Sequence, residues 1–162
     1  MSKLIYIMPV WIGCEDFLIN SLQVSQNKAA RFVTRHDRFT PTEILLKQCG
    51  WLSVRQLLVL HSLSLLHKTH KHHKPMFLYE KETSGTGPPS TRQAVALAAR
   101  ISAAGLPSLP NIVDCKLEVT RKSWCWASTR LYSQLPVEVL TEQKPSKFKE
   151  KLKLWVGEHI DI

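Results

Sequence analysis

Residues 54–72 constrain this chain more than any other stretch. Val54, Leu57, Leu58, Val59, Leu60, Leu63, Leu65 and Leu66 would cover nearly every side of a helix there, and Ser53 is placed to cap it. A helix that is apolar all round must be wrapped by other elements, so this one is predicted to be the centre of a core. His73-Lys74-Pro75 ends it, since proline cannot continue a helix. The fold class that follows is mainly α. It is a small helical lobe around a long buried helix, with a Gly/Pro loop and a minor extended segment, closed by a C-terminal helix.

The flanking stretches supply the wrapping elements. Residues 15–35 are predicted helical, because Leu18, Leu22, Ser25, Ala29, Phe32 and Val33 recur at three- and four-residue spacing. That side is expected to face the core. At about 100° per residue, Lys28, Arg31 and Arg35 gather on the opposite side, with Arg38 just beyond the helix end. After the turn at 36–39, Thr40 is expected to cap a short helix with Pro41 at its first position and Glu43 in its first turn. Gly50 should close that helix, glycine being the usual residue after a helix terminus.

Residues 3–13 read as one or two helical turns, and 82–91 (ETSGTGPPST) as a loop. The Ala-rich stretch 93–104 is compatible with helix, and 111–119 (NIVDCKLEV) reads as a strand. A helix is predicted over 124–132, a further turn over 137–142, and a last helix capped by Ser146. In that last helix Phe148, Leu152 and Trp155 share a face flanked by Lys147, Lys149, Lys151 and Lys153. The organisation is thus a helical lobe at 1–80, a linker at 81–110, and a C-terminal helical segment at 111–162 that packs on the lobe.

A net charge of +9 points to polyanionic partners. Cys14, Cys49, Cys115 and Cys125 are dispersed without a C-x-x-C spacing, which fits reduced thiols inside a cell, nuclear or cytoplasmic, better than a secreted disulfide framework. Pro9 and Trp11 argue against a leader at the start, and no apolar run is long enough to span a bilayer.

Several constellations reduce to plain structure on inspection. His67, His70, His72 and His73 have spacing that could share a metal, but no nearby Cys or carboxylate completes a site, and Lys68, Lys71 and Lys74 would repel a cation. A polar, frayed helix end is expected instead. The helix pair around Cys49-Gly50-Trp51 has the outline of a helix–turn–helix. Its second helix offers only Arg55 and Gln56 before turning apolar, which fits an αα-hairpin in a core. Trp124, Trp126, Tyr132 and Trp155 lie among apolar residues and are expected to pack. No Gly-x-Ser-x-Gly, no Gly-rich phosphate loop and no paired aspartates occur, so no catalytic residue, metal ligand or cofactor is assigned.

A series of blocks carries a resemblance that spans most of the chain: SLQVSQNKAARFVTR at 21–35, TPTEILLKQCGWLSVRQ at 40–56, TRQ at 91–93, SWCWASTRLYSQLPVEVL at 123–140, and PSKFKEKLKLWV at 145–156. In this order they resemble the region after the catalytic palm in LINE-type, Jockey-like non-LTR retrotransposon reverse transcriptases. The family usually has Trp where Tyr132 stands. The resemblance implies a thumb-like lobe at 1–80 and places Lys28, Arg31, Arg35 and Arg38 where a thumb meets nucleic acid, as sequence-independent phosphate contacts. It implies a partner in the palm and fingers of the parent polymerase, and a Met1 that falls within what is mid-protein in the family. It carries over no catalytic residue. Polymerases hold two metals on paired carboxylates, including a Tyr-x-Asp-Asp turn, and the aspartates here are Asp16, Asp37, Asp114 and Asp161, none adjacent.

The alternative is a stand-alone basic helical protein that binds nucleic acid or a protein partner. A fragment should leave apolar surface open along residues 3–13, where the palm would sit. A stand-alone protein should bury it.

Overall fold

The structure is a computed structural model, and it describes residues 8–72, 124–142 and 144–160, with Ala99 isolated between them. The expected loop at 82–91, the Ala-rich stretch, the strand at 111–119 and the TRQ block lie outside the described residues. What is described is helical, without a strand. A 3-10 turn at Met8–Gly13 leads into α1 (Asp16–Thr34), α2 (Thr42–Cys49) and α3 (Val54–His72). Then come α4 (Trp124–Tyr132), α5 (Val137–Leu140) and α6 (Pro145–His159).

Helix α3 is the axis. Its start is fixed by a reciprocal cap in which the Gln56 N–H donates to Ser53 Oγ (3.2 Å) and the Ser53 N–H donates to Gln56 Oε1 (3.0 Å). The 3-10 turn, α1, α4 and α6 all pack on α3. One core joins Val59, Leu60, Leu63 and Leu66 of α3 to Tyr132, Leu135, Val139 and Leu140, and to Phe148, Leu152 and Val156 of α6. A second, smaller core brings Met8 and Ile19 against Val54 and Leu58. C-terminal closure therefore comes from α6 presenting Phe148, Leu152 and Val156, each four residues apart, to the central helix.

Local caps depart from expectation in two places. Pro41, not Thr40, precedes the first residue of α2, and Lys144, not Ser146, precedes the first of α6; neither makes a side-chain cap. Gly50 does end α2, in the left-handed conformation (φ 64°), and its N–H reaches the carbonyls of Leu46 and Lys47. The break between α2 and α3 turns the chain by 50°. No single described helix is long and apolar enough to cross a membrane; α2 and α3 together pass by length and composition. Their Leu45, Leu46, Leu63 and Leu66 are all buried inside the protein.

Of residues 3–13, whose exposure separates fragment from stand-alone protein, 3–7 lie outside the described residues, which leaves the 3-10 turn. Met8 is buried and Trp11 and Cys14 pack beside it, while Val10 alone of its apolar residues stands well exposed. Open apolar surface is found elsewhere, on α1.

Candidate nucleic-acid interface

Helix α1 is rotated relative to the sequence expectation. Leu18, Ala29, Phe32 and Val33, read as its core face, are exposed, with Leu18 at 51%, Phe32 at 88% and Val33 at 62%. The buried and half-buried positions are Ile19, Leu22, Gln23, Gln26, Asn27, Ala30, Arg31 and Thr34, so of the expected apolar face Leu22 alone turns inward, packing on the core of Met8 and Ile19. The reason is what that side meets. The α2–α3 break leaves backbone groups with no helical partner, and such groups must be satisfied when buried.

Two amides of α1 do this, and a third bonds a side chain of α2. Gln26 Nε2 donates to the Leu52 carbonyl (2.8 Å), and the Val54 N–H donates to Gln23 Oε1 (2.8 Å). Asn27 Nδ2 donates to Thr42 Oγ1 (3.3 Å). Gln23 also donates from Nε2 to Asn27 Oδ1 (2.8 Å) and Gln26 Oε1 (3.0 Å), so the amides orient one another. The first two sequence blocks, 21–35 and 40–56, therefore lock together through polar groups.

This rotation decides where the four candidate cations stand. Lys28 is exposed on α1. Arg35 is exposed and ends the helix in the left-handed region (φ 55°), a conformation that glycine adopts at the matching position of α2. Arg38 is exposed in the turn, its guanidinium 4.8 Å from the centre of the Phe39 ring. Arg31 is half-buried, with its Nε enclosed and unpaired among the described residues, so it does not belong to the open stripe as expected.

The corner carrying Arg35 and Arg38 is braced. Thr40 N–H donates to the Asp37 carbonyl (3.1 Å), His36 Nε2 and Gln48 Oε1 share a hydrogen bond (2.9 Å), and Thr34 Oγ1 donates to the Ala30 carbonyl (2.8 Å). Among the described residues, none of Lys28, Arg35 and Arg38 is in an ion pair; the pairs found are Arg55–Asp16 (2.7 Å) and Lys151–Glu142 (2.9 Å). Lys28 and Arg35, about two helical turns apart on α1, and Arg38 in the turn beyond it are thus solvated cations.

A second basic region lies where α6 meets α3. His61 is held below its ordinary value of 6.5, first by partial burial and then by the positive charges of Lys149 and Lys68. Lys147 and Lys153 are exposed on the same helix as Lys149, whereas Lys151 is engaged by Glu142.

The other sequence candidates resolve as follows. His67 is not at a frayed end. It is buried, stacked on the Phe148 ring (3.7 Å between centroids, 5° between planes), and shares a 2.9 Å hydrogen bond from Nδ1 with Tyr132 Oη. Burial holds the Tyr132 phenol well above its usual range. The signal was available: His67 follows Leu60 and Leu63 at helical spacing on the side of α3 that α6 covers. The side chains of His70 and His72, and of Trp124 and Trp126, lie outside the described residues, as does His73 entirely.

Among the described residues, no group of His, Cys, Asp and Glu is arranged to hold a metal ion. Gln56, buried, donates from Nε2 to the Ile160 carbonyl (2.9 Å), and Arg55 is paired with Asp16, so neither is free to read base edges.

No family model, no curated protein and no solved structure matches this chain. The likeness to retrotransposon polymerases rests on the residue blocks alone.

Proposed function

We propose that this chain is a non-catalytic, nucleic-acid-binding helical lobe, corresponding to the C-terminal, post-palm region of a non-LTR-type RNA-directed DNA polymerase. The observation that carries the binding part is the group Lys28, Arg35 and Arg38, exposed together and in no ion pair among the described residues. Cations held this way gain by displacing condensed counterions from a phosphate backbone, and they do so without regard to sequence. The ordered sequence blocks support the family part, and the absence of a Tyr-x-Asp-Asp turn from the chain supports assigning it no polymerase chemistry of its own. On this reading the open apolar side chains Leu18 and Val33 of α1 are where a palm or fingers domain would rest.

A second reading, a stand-alone basic interaction protein, is favoured by one feature: Met8 and Trp11 pack under α3 instead of lying open. Both readings keep the same cationic site. Binding of labelled DNA and RNA to the chain and to Lys28→Gln/Arg35→Gln/Arg38→Gln tests that site, with affinity expected to fall for every sequence tried. Primer extension on an RNA template with Mg²⁺ tests the non-catalytic assignment. No extension is expected, and extension that persists through repurification contradicts it.

A further inference from the structure

The surface around Arg35 is aromatic as well as cationic. Phe32 and Phe39 are the two most exposed large apolar side chains among the described residues, at 88% and 82%. Phe32 lies one helical turn after Lys28 on α1, and Phe39 follows Arg38 directly in the corner leading to α2. Leaving a phenylalanine open forgoes its burial, and here it happens at two positions, each next to a candidate cation on the helix or in the turn. The corner is held by the Thr40–Asp37 turn and the His36–Gln48 hydrogen bond, so the rings stand on fixed backbone.

A duplex offers a protein surface its phosphates and sugars, with base faces stacked out of reach. A single strand offers phosphates and open base faces together, and binds to rings set among cations. We propose that the α1–α2 corner is a single-strand platform, with bases stacking on Phe32 and Phe39 while Lys28, Arg35 and Arg38 neutralise the backbone. This rests on the phosphate-binding reading above and adds the form of nucleic acid. Arg38, already against the Phe39 ring, extends the stacking surface by its guanidinium plane. Asp37 is the carboxylate within this corner, and it opposes a polyanion there.

The experiment compares a labelled oligothymidylate with a duplex carrying the same number of phosphates, using the full chain. The single strand is expected to bind more tightly at equal salt. Phe32→Ala/Phe39→Ala should weaken it about tenfold per ring lost while leaving the duplex within about twofold and the salt slope unchanged. Phe32→Trp/Phe39→Trp should retain single-strand binding, and far-ultraviolet circular dichroism confirms that each variant is folded.

Equal losses on single strand and duplex, or no loss on either, overturn the platform. If Lys28→Gln/Arg35→Gln/Arg38→Gln still weakens both ligands in that case, the phosphate-binding reading survives. If that variant changes nothing, both readings fail together. A change in self-association without a change in single-strand affinity assigns the two rings to a protein contact and overturns the proposal.

Discussion

The orientation of α1 is decided by Gln23, and replacing it is the sharpest stability test the fold offers. Gln23→Leu removes the acceptor of the Val54 N–H and both donations to Gln26 and Asn27. Val54 is buried at the start of α3, so its N–H would be left without a partner. An unsatisfied buried donor costs about 1–3 kcal/mol, and each lost amide bond adds roughly 0.5–1.5 kcal/mol before any gain from the new apolar side chain. Leucine recovers part of this by burial, which leaves an expected loss of about 2–3 kcal/mol. For a chain of this size that is a fall in Tm of roughly 5–10 °C.

Urea unfolding followed by tryptophan fluorescence reads the change, with Leu18→Gln and Val33→Gln as paired controls that should shift stability by less than about 0.5 kcal/mol. If α1 faced the core through its apolar periodicity, the order would invert. Leu18→Gln would then be severe and Gln23→Leu neutral or stabilising, and that result would refute the polar seam.

Arg35→Gly should stabilise the protein while weakening its binding. It relieves about 1–2 kcal/mol of left-handed strain, partly offset by about 0.4–1 kcal/mol of added freedom in the unfolded chain, and it removes one phosphate contact. Thermal melts and anisotropy on the same sample check both halves. Leu63→Ala, at a fully buried position of α3, should cost roughly 2–5 kcal/mol in equilibrium unfolding. His61 is expected to titrate below 6.5 by NMR, and Lys149→Gln should move its midpoint upward. Because the folded value is the lower one, protonation favours the unfolded chain, so its contribution is complete above pH 6.5 and is lost as pH falls through the folded value.

The parts legible in the sequence were those where a residue's own chemistry decides its place. The all-round apolar pattern of 54–66 marked the central helix, Ser53 marked its cap, and Gly50 marked the end of α2. Helix α1 was expected at 15–35 and is found at Asp16–Thr34. Its orientation was not legible, because hydrophobic periodicity assumes an apolar partner. Here the partner is the polar backbone at a helix break, which selects Gln23 and Gln26, with Asn27 bonding the Thr42 hydroxyl, over Leu18 and Phe32.

That rotation also altered the candidate site. Lys28 and Arg35 stay open, Arg31 turns partly inward, and Phe32, about 40° round the helix from Lys28, is exposed and not in the core. His67 was misread for the converse reason. Its polarity and its histidine-rich surroundings suggested solvent, whereas stacking on Phe148 and bonding to Tyr132 make burial tolerable.

The most direct test of nucleic-acid binding through the end of α1 is the salt dependence of affinity. Equilibrium constants for a labelled single strand, measured across a range of salt concentrations, should fall linearly on a double-logarithmic plot. The account predicts that Lys28→Gln/Arg35→Gln/Arg38→Gln flattens that slope by about 2–3 units, one counterion release lost per contact, while Arg31→Gln flattens it less than any one of the three. Parallel lines for the native chain and the triple variant would contradict it, and would move the backbone contact to the lysines of α6.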